Sequence, residues 1–214
     1  MTTIYLIRHG ETEANIALKY QGCTDTPLTP NGLKQVACLA EHLRPVQFDC
    51  IYTSPMTRAV RTAQAVGEGR NIPIIIDPAL IEVCGGLFEG RSIRDLAQEY
   101  PEEVRIWNEE YWKFVGPGLE DGVSAKFRQV QQVIGRMVRR HPGQTVALST
   151  HGCVQRCFNA IMQGWPEEGQ QQLPFGANCS YSAARFDQNG PAEVLCLNRN
   201  CHLAGFEVHH FGTD

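Results

Sequence analysis

The sequence predicts an α/β protein whose mostly parallel sheet is covered by helices on both faces. Three observations carry this. Short apolar, β-branched runs alternate with segments of helical period along most of the chain. Two such runs, Ile4–Arg8 and Val146–Thr150, end alike, in His9-Gly10 and His151-Gly152. The helical segments between them are amphipathic, so each has a face to bury against a sheet.

Residues 3–8 read as the first strand. Thr29-Pro30 opens a helix, with Thr29 as N-cap and Pro30 at the first helical position. Leu33, Val36, Ala37, Ala40 and Leu43 mark its apolar face, and Pro45 closes it. Cys50–Thr53 is a second strand. Ser54-Pro55 repeats the cap logic and starts a helix carrying Ala59, Val60, Ala63 and Val66. Ile74–Ile76 is a third strand. Residues 80–92 form a loop rich in glycine (Gly85, Gly86, Gly90). Residues 93–115 read as helical with a break at Pro101. A long amphipathic helix over 124–140 carries Phe127, Val130, Val133, Ile134, Met137 and Val138 and ends at Pro142-Gly143. Residues 145–150 are a fourth strand, Cys153 to Met162 a helix, and 178–186 and 193–198 two final strands turned by Gly190 and Pro191. There is no repeat, low-complexity tract or linker-like stretch.

The 214 residues suffice for one sizeable core. A net charge of −4 gives no global field for nucleic acid or an anionic membrane, so an anion would be bound by a few placed arginines. No apolar stretch approaches the ~20 residues needed to cross a bilayer. Met1-Thr2-Thr3 leads straight into a strand with no leader pattern. Nine cysteines without a C-x-x-C pair read as reduced, mostly buried thiols of a cytoplasmic protein. Neither Cys153 and Cys157 with His151, nor Cys196 and Cys201 with His202, has a common zinc spacing.

In open, mostly parallel sheets, ligands bind beyond the carboxyl ends of the strands. Arg8-His9, the Ser54–Arg58 segment and His151-Gly152 all follow strand ends, so they are expected along one edge. Arg8 and Arg58 offer planar forks of donors suited to phosphate oxygens. The helix beginning near Cys153 adds backbone N–H groups and the positive end of its dipole. A neutral imidazole can attack phosphorus directly. Transfer then needs in-line positioning, electrostatic stabilisation and a proton donor for the leaving alkoxide. Glu82 and Glu89 in the glycine-rich loop are both candidates for the donor, because a carboxyl beside a phosphate dianion tends to keep its proton.

Other polar residues have plainer readings. Arg58 and Arg61 lie three apart on one helix, so one of them can be a solvated arginine. His42 and His141 lie near helix C-termini, where an imidazolium is stabilised. His209 and His210 fall in a polar tail. Glu102, Glu103, Glu109 and Glu110 form a solvated face. Trp107, Tyr111 and Trp112 read as packing, with a pocket wall as the alternative.

The segment Leu6–Thr12 with Asn15 resembles the signature of the histidine phosphatase superfamily, the phosphoglycerate mutase-like proteins. The likeness continues through Gln21-Gly22, Asp25, Pro27–Thr29, Gly32, Thr53–Pro55, Arg58-Ala59 and Thr62-Ala63. It resumes at Glu82, Gly86-Leu87, Glu89-Gly90 and Ser149–Gly152. The resemblance implies a three-layer α/β/α sandwich with a mostly parallel six-stranded sheet. It implies one domain over residues 1–214, with a small helical cap from about 85–125. By the same resemblance His9 is the nucleophile that becomes phosphohistidine, and Glu82 is the proton donor and acceptor. Arg8, Arg58 and His151 hold the phosphoryl oxygens. Asn15, Gln21, Gly22, Gly152 and the Cys153 backbone complete the phosphate pocket. Neither a metal nor another cofactor is implied.

The family holds phosphatases and cofactor-dependent phosphoglycerate mutases. Mutases of this family typically carry an Arg-Arg pair and a lysine that grip a second acidic group. Residues 91–125 offer Arg91, Arg94, Arg105 and Lys113 but no adjacent arginines, and Arg139-Arg140 ends a helix expected to lie elsewhere. The expectation is therefore a metal-independent phosphomonoesterase acting on a small phosphorylated metabolite as a monomer or homodimer, with the mutase as alternative. Val83-Cys84 and Leu119–Asp121 depart from the family pattern near the substrate-facing region, so the substrate does not transfer by analogy.

Overall fold

A computed structural model describes residues 1–206. In chain order the elements are β1 (Thr2–Arg8), α1 (Glu13–Ile16), α2 (Pro30–His42), β2 (Cys50–Thr53), α3 (Thr57–Gly67), β3 (Ile74–Ile76), α4 (Ile93–Glu99), α5 (Pro101–Glu109), α6 (Val123–Arg140), β4 (Thr145–Thr150), α7 (Gly152–Met162), β5 (Tyr181–Asp187) and β6 (Gly190–Arg199). The six strands make one sheet in the order β3-β2-β4-β1-β5-β6. β1, β2, β3 and β4 run parallel. β5 runs antiparallel to both β1 and β6. The fold is thus the mostly parallel α/β class expected.

Alternation along β1 sends its side chains to two separate cores. Ile4 and Leu6 pack with Phe127, Val130 and Met137 of α6 and Val154 and Phe158 of α7. Ile7 packs on the other face with Val36 and Leu39 of α2 and Ala63 and Val66 of α3. A third cluster gathers Tyr20, Val83 and Phe88 with Leu96, Tyr111, Phe114 and Val123, under the segment that holds α4 and α5.

The helix before β2 begins as the sequence suggests: the Thr29 side chain accepts from Gly32 N–H, with Pro30 following. Its buried face differs. Val36 and Leu39 are buried, whereas Leu33 is 56% exposed, and Ala37 is exposed too. Gln35, a polar residue, takes an inner position because its Oε1 accepts from Glu11 N–H. The next helix starts at Thr57 rather than at Ser54-Pro55, and its N-cap Met56 makes no side-chain cap bond. The Ser54 hydroxyl is engaged elsewhere, as described below.

Three further expectations are corrected. β5 begins at Tyr181, because residues 176–180 loop back to clasp the end of β1: Arg8 N–H donates to Ser180 O and Cys179 N–H to His9 O. The turn into β6 falls at Gln188-Asn189, and Gly190 and Pro191 already belong to the strand. The thiols are not all reduced. Cys23 and Cys84 form a disulfide across 61 residues, a pairing that no short spacing could reveal. Closing a loop of that length is worth about 4 kcal/mol in the chain-entropy account.

The packing yields a test. Phe158 is fully buried against Phe186, so Phe158→Ala should lower unfolding free energy by about 3–5 kcal/mol. Leu33→Ala should change it by less than about 0.5 kcal/mol. Urea unfolding measures both, and a large loss at Leu33 would contradict the assigned face.

Candidate active site

Strand register assembles the site. Arg8 pairs with Thr150 across β1 and β4, and Thr53 pairs with Ser149 across β2 and β4. The residues that follow, His9, Ser54 and His151, therefore emerge at one level. His9 and His151 have ring centroids 5.3 Å apart. His9 N–H donates to Thr150 O, which locks the first strand end to the second. Glycine must follow His9 because α2 packs there: a Cβ at Gly10 would lie 2.6 Å from Val36 Cγ2 and 2.9 Å from Gly32 O.

His9 Nδ1 lies 2.7 Å from Gly10 O. A carbonyl only accepts, so Nδ1 carries the proton and Nε2 keeps its lone pair. Burial pushes this imidazole's pKa well below the usual histidine range, and the Arg58 and Arg8 guanidiniums push the same way. His151 is held low by burial, Arg58 and His9. Its Nδ1 accepts from Arg58 Nε at 3.3 Å, so its proton sits on Nε2 and is donated to Ser54 Oγ at 2.7 Å.

Arg58 is fully buried. Its Nη groups donate to the carbonyls of Thr24 (2.8 Å), Gly22 (2.9 Å) and Gln21 (3.3 Å), and one reaches the Asp25 carboxylate at 3.4 Å. Arg8 donates from Nη1 to Gly176 O, while its Nε is buried without a partner. Such an orphaned cationic donor is costly unless an anion meets it. The Glu82 carboxylate accepts from Val83 N–H and from Cys153 N–H, both at 2.9 Å. The second donor lies in the first turn of α7, where a helix stabilises negative charge. The backbone carrying Glu82 is itself fixed: Thr150 Oγ1 donates to Leu80 O and Lys126 Nζ to Ile81 O.

A narrow, half-open pocket of about 50 Å³ lies above these groups. Arg8, His9, Asn15, Gln21, Glu82, Gly152 and Cys153 line it. Asn15 Oδ1 accepts from Thr12 and Asn178, which leaves its Nδ2 uncommitted among the described residues. A wider groove of about 1110 Å³ beside α2 and α3 contains Arg61 but none of the strand-end histidines. Among the described residues His42, Cys201 and His202 could approach a metal ion, and none of the three lines the pocket.

A family model described as the histidine phosphatase superfamily, branch 1, matches residues 4–199. The chain belongs to that superfamily. Phosphoserine phosphatase 1 of Hydrogenobacter thermophilus is 32% identical over 97% of both chains. An adenosylcobalamin/alpha-ribazole phosphatase of Escherichia coli is 34% identical over 86% of this chain and 90% of its own. A probable phosphoglycerate mutase GpmB of Cronobacter sakazakii is 30% identical, over 88% and 87%. Among solved structures, Bacillus stearothermophilus YhfR superposes with a TM-score of 0.87 at 30% identity, covering 95% of this chain and all of that one. As a member of the histidine phosphatase superfamily, the chain is an enzyme of the phosphatase type.

Within this histidine phosphatase, Glu82 faces the pocket and Glu89 does not. Glu89 instead accepts from backbone N–H groups of Cys23, Thr24 and Gly85. Arg58, His151 and Gly22 are absent from the pocket lining; Arg58 ties the other two together, bonding His151 Nδ1 and Gly22 O. The Cys153 N–H, expected to serve phosphate, serves Glu82. Trp107 takes the pocket-wall alternative, stacked on Phe175 with 5.8 Å between centroids, while Tyr111 is buried packing. Lys19, Tyr20 and Phe175 line the pocket without having been singled out in the sequence. They come from segments between the named helices and strands, where hydrophobic period gives no hint of them. His209 and His210 lie outside the described residues.

The histidines set a pH dependence. His9 and His151 titrate lower in the folded chain than the unfolded value of about 6.5, and His202 is lowered to about 4. Below about pH 6.5 the unfolded chain binds protons that the folded chain does not, so acid favours unfolding. The urea midpoint should be lower at pH 5.5 than at pH 7.5. An equal or higher midpoint at pH 5.5 would show that these imidazoles are not held neutral.

Proposed function

We propose that His9 Nε2 accepts the phosphoryl group of a small phosphomonoester and passes it to water. The observation that carries this is a neutral imidazole with its lone pair on Nε2, buried beside Glu82 in the same narrow pocket. In the first step a P–N bond forms as the ester P–O bond breaks, and Glu82 gives its proton to the departing alkoxide. In the second, Glu82 takes a proton from water as the water oxygen attacks phosphorus and the P–N bond breaks. Arg8, through its unpartnered Nε, and Asn15, Gln21 and the Gly152 backbone hold the equatorial oxygens. Arg58 acts from behind as the buried positive charge, with neutral His151 bonded to it, while Gly22 holds Arg58 through its carbonyl and Cys153 holds Glu82 through its N–H.

Hydrolysis is favoured over isomerisation by where the cap's cations go. Arg91 is paired with Glu99, Arg105 with Glu102, Glu109 and Glu110, and Lys113 with Glu110. Arg94 is exposed, and none of these lines the pocket. A mutase must keep a bisphosphate in place while it turns, which calls for several cations beyond the first phosphate, and among the described residues Lys19 is the one side-chain cation besides Arg8 in the lining. The relatives named as phosphoserine and alpha-ribazole phosphatases support small phosphorylated metabolites as the substrate class. The reading carries with it a cytoplasmic enzyme, monomer or homodimer, with neither nucleic acid nor membrane as partner.

His9→Ala should abolish turnover of p-nitrophenyl phosphate, and EDTA should leave the wild-type rate unchanged. Loss of activity with chelator would contradict a metal-independent route. With 3-phosphoglycerate and a trace of 2,3-bisphosphoglycerate, phosphorus NMR should show inorganic phosphate as the product. Fast isomer interconversion with little free phosphate would establish the mutase instead.

A further inference from the structure

Two segments meet at the pocket rim. Residues 21–24 supply the carbonyls that hold Arg58, and residues 81–89 carry Glu82. Their contact is close enough to exclude any side chain at Gly22, where a Cβ would lie 2.4 Å from Val83 O and 3.0 Å from Cys84 Cα. Two fastenings cross this contact. One is covalent: the Cys23–Cys84 disulfide, with its Cα atoms 5.0 Å apart. The other is Glu89, whose carboxylate accepts from Cys23 N–H (2.9 Å), Thr24 N–H (3.0 Å), Thr24 Oγ1 (2.6 Å) and Gly85 N–H (2.7 Å). These bonds hold its pKa below the usual carboxylate value despite the opposing effect of burial. Cys84 is only two residues from Glu82.

We propose that Cys23 and Cys84 are a reversible redox-modification site that sets how firmly the proton donor is held. Glu89 is the fastening that remains when the bond is reduced. The proposal rests on the reading of Glu82 as acid and base. The oxidant is a peroxide or a small-molecule disulfide. With peroxide, one thiolate takes oxygen to become a sulfenic acid as the O–O bond breaks, and one water is released. The second thiol attacks that sulfur, the S–S bond forms and a second water leaves. With oxidised glutathione, two protein thiols exchange into a disulfide and two glutathione thiols are released. A dithiol returns the two electrons.

The four buried thiols are poorly placed to compete. Cys153, Cys157 and Cys179 are buried, and burial pushes their thiols up, as it pushes Cys50 up to about 11. The thiolate is the reactive form, so these are inert. Cys38, Cys196 and Cys201 form no disulfide among the described residues. Cys23 and Cys84 are half-buried and face each other.

The full-length chain would be reduced with dithiothreitol or oxidised with oxidised glutathione, then examined in three ways. Non-reducing peptide mass mapping should find a Cys23–Cys84 link only after oxidation. Reduction should lower kcat for p-nitrophenyl phosphate about three- to tenfold with little change in KM, since partial misplacement of an acid forfeits only part of its effect. Oxidised glutathione should restore the rate. Cys84→Ser should stay at the reduced value in either reagent. Glu89→Gln should lose at least about tenfold on reduction, because both fastenings are then gone. The thermal midpoint should fall on reduction in the wild type and not in Cys84→Ser. That readout needs no activity, so it separates a failure of the redox pair from a failure of the phosphatase reading. Absence of the linked peptide after oxidation would overturn the proposal. So would a kcat that is unchanged by complete reduction in both wild type and Glu89→Gln, whatever the midpoint does.

Discussion

Parallel pairing of β1 with β4, residue for residue from Thr3 opposite Thr145 to Arg8 opposite Thr150, is what makes a site possible in this chain. A parallel pair ends both strands on the same side of the sheet. Two histidines more than 140 positions apart in sequence are thereby placed within ring contact. β2 adds Ser54 on the same level, and the loop of residues 176–180 closes over the Arg8–Gly10 backbone. A slip of one residue between β1 and β4 would turn Ile4 and Leu6 away from α6 and α7, so the hydrophobic core and the site share one register.

The second constraint is charge. Two guanidiniums and two imidazoles are buried together at the strand ends. All four cannot carry a proton at once in so small a space. The guanidiniums keep theirs, and the imidazoles stay neutral. This leaves one imidazole with a free lone pair on Nε2 at neutral pH and makes the other a hydrogen-bonding link between Arg58 and Ser54. Arg58 lies outside the pocket lining. It draws the loop of residues 21–24 inward through three carbonyls, and that loop in turn presses on the segment that carries Glu82. Arg58, Glu82 and His151 are thus coupled through backbone as well as through side chains.

The sheet was legible because apolar runs ending in His-Gly mark strand ends, and because proline and threonine mark the start of α2. Misreadings arose where a polar side chain had a distant partner. Ser54 has the form of a helix cap, yet its hydroxyl bonds a histidine 97 residues away. Gln35 looks like a surface residue, yet it faces inward to Glu11, which rotates the buried face of α2 away from Leu33. Cys23 and Cys84 are far apart in sequence and no local rule pairs them. Phe175 and Lys19 reach the pocket from loops, where period carries no information. Glu82 and Glu89 were equivalent as residues, and only the resemblance distinguished them; the geometry gives one to the pocket and the other to three backbone amides.

The central claim is that one nitrogen of one ring does the chemistry, because the other is committed to Gly10 O. The most direct measurement is rapid alkaline quenching of the enzyme during turnover, with phosphorus NMR and peptide mass mapping of the trapped phosphoprotein. The account expects a single phosphoryl group on His9, bonded to Nε2. A phosphoryl group on His9 Nδ1, on His151 or on a carboxylate would contradict it.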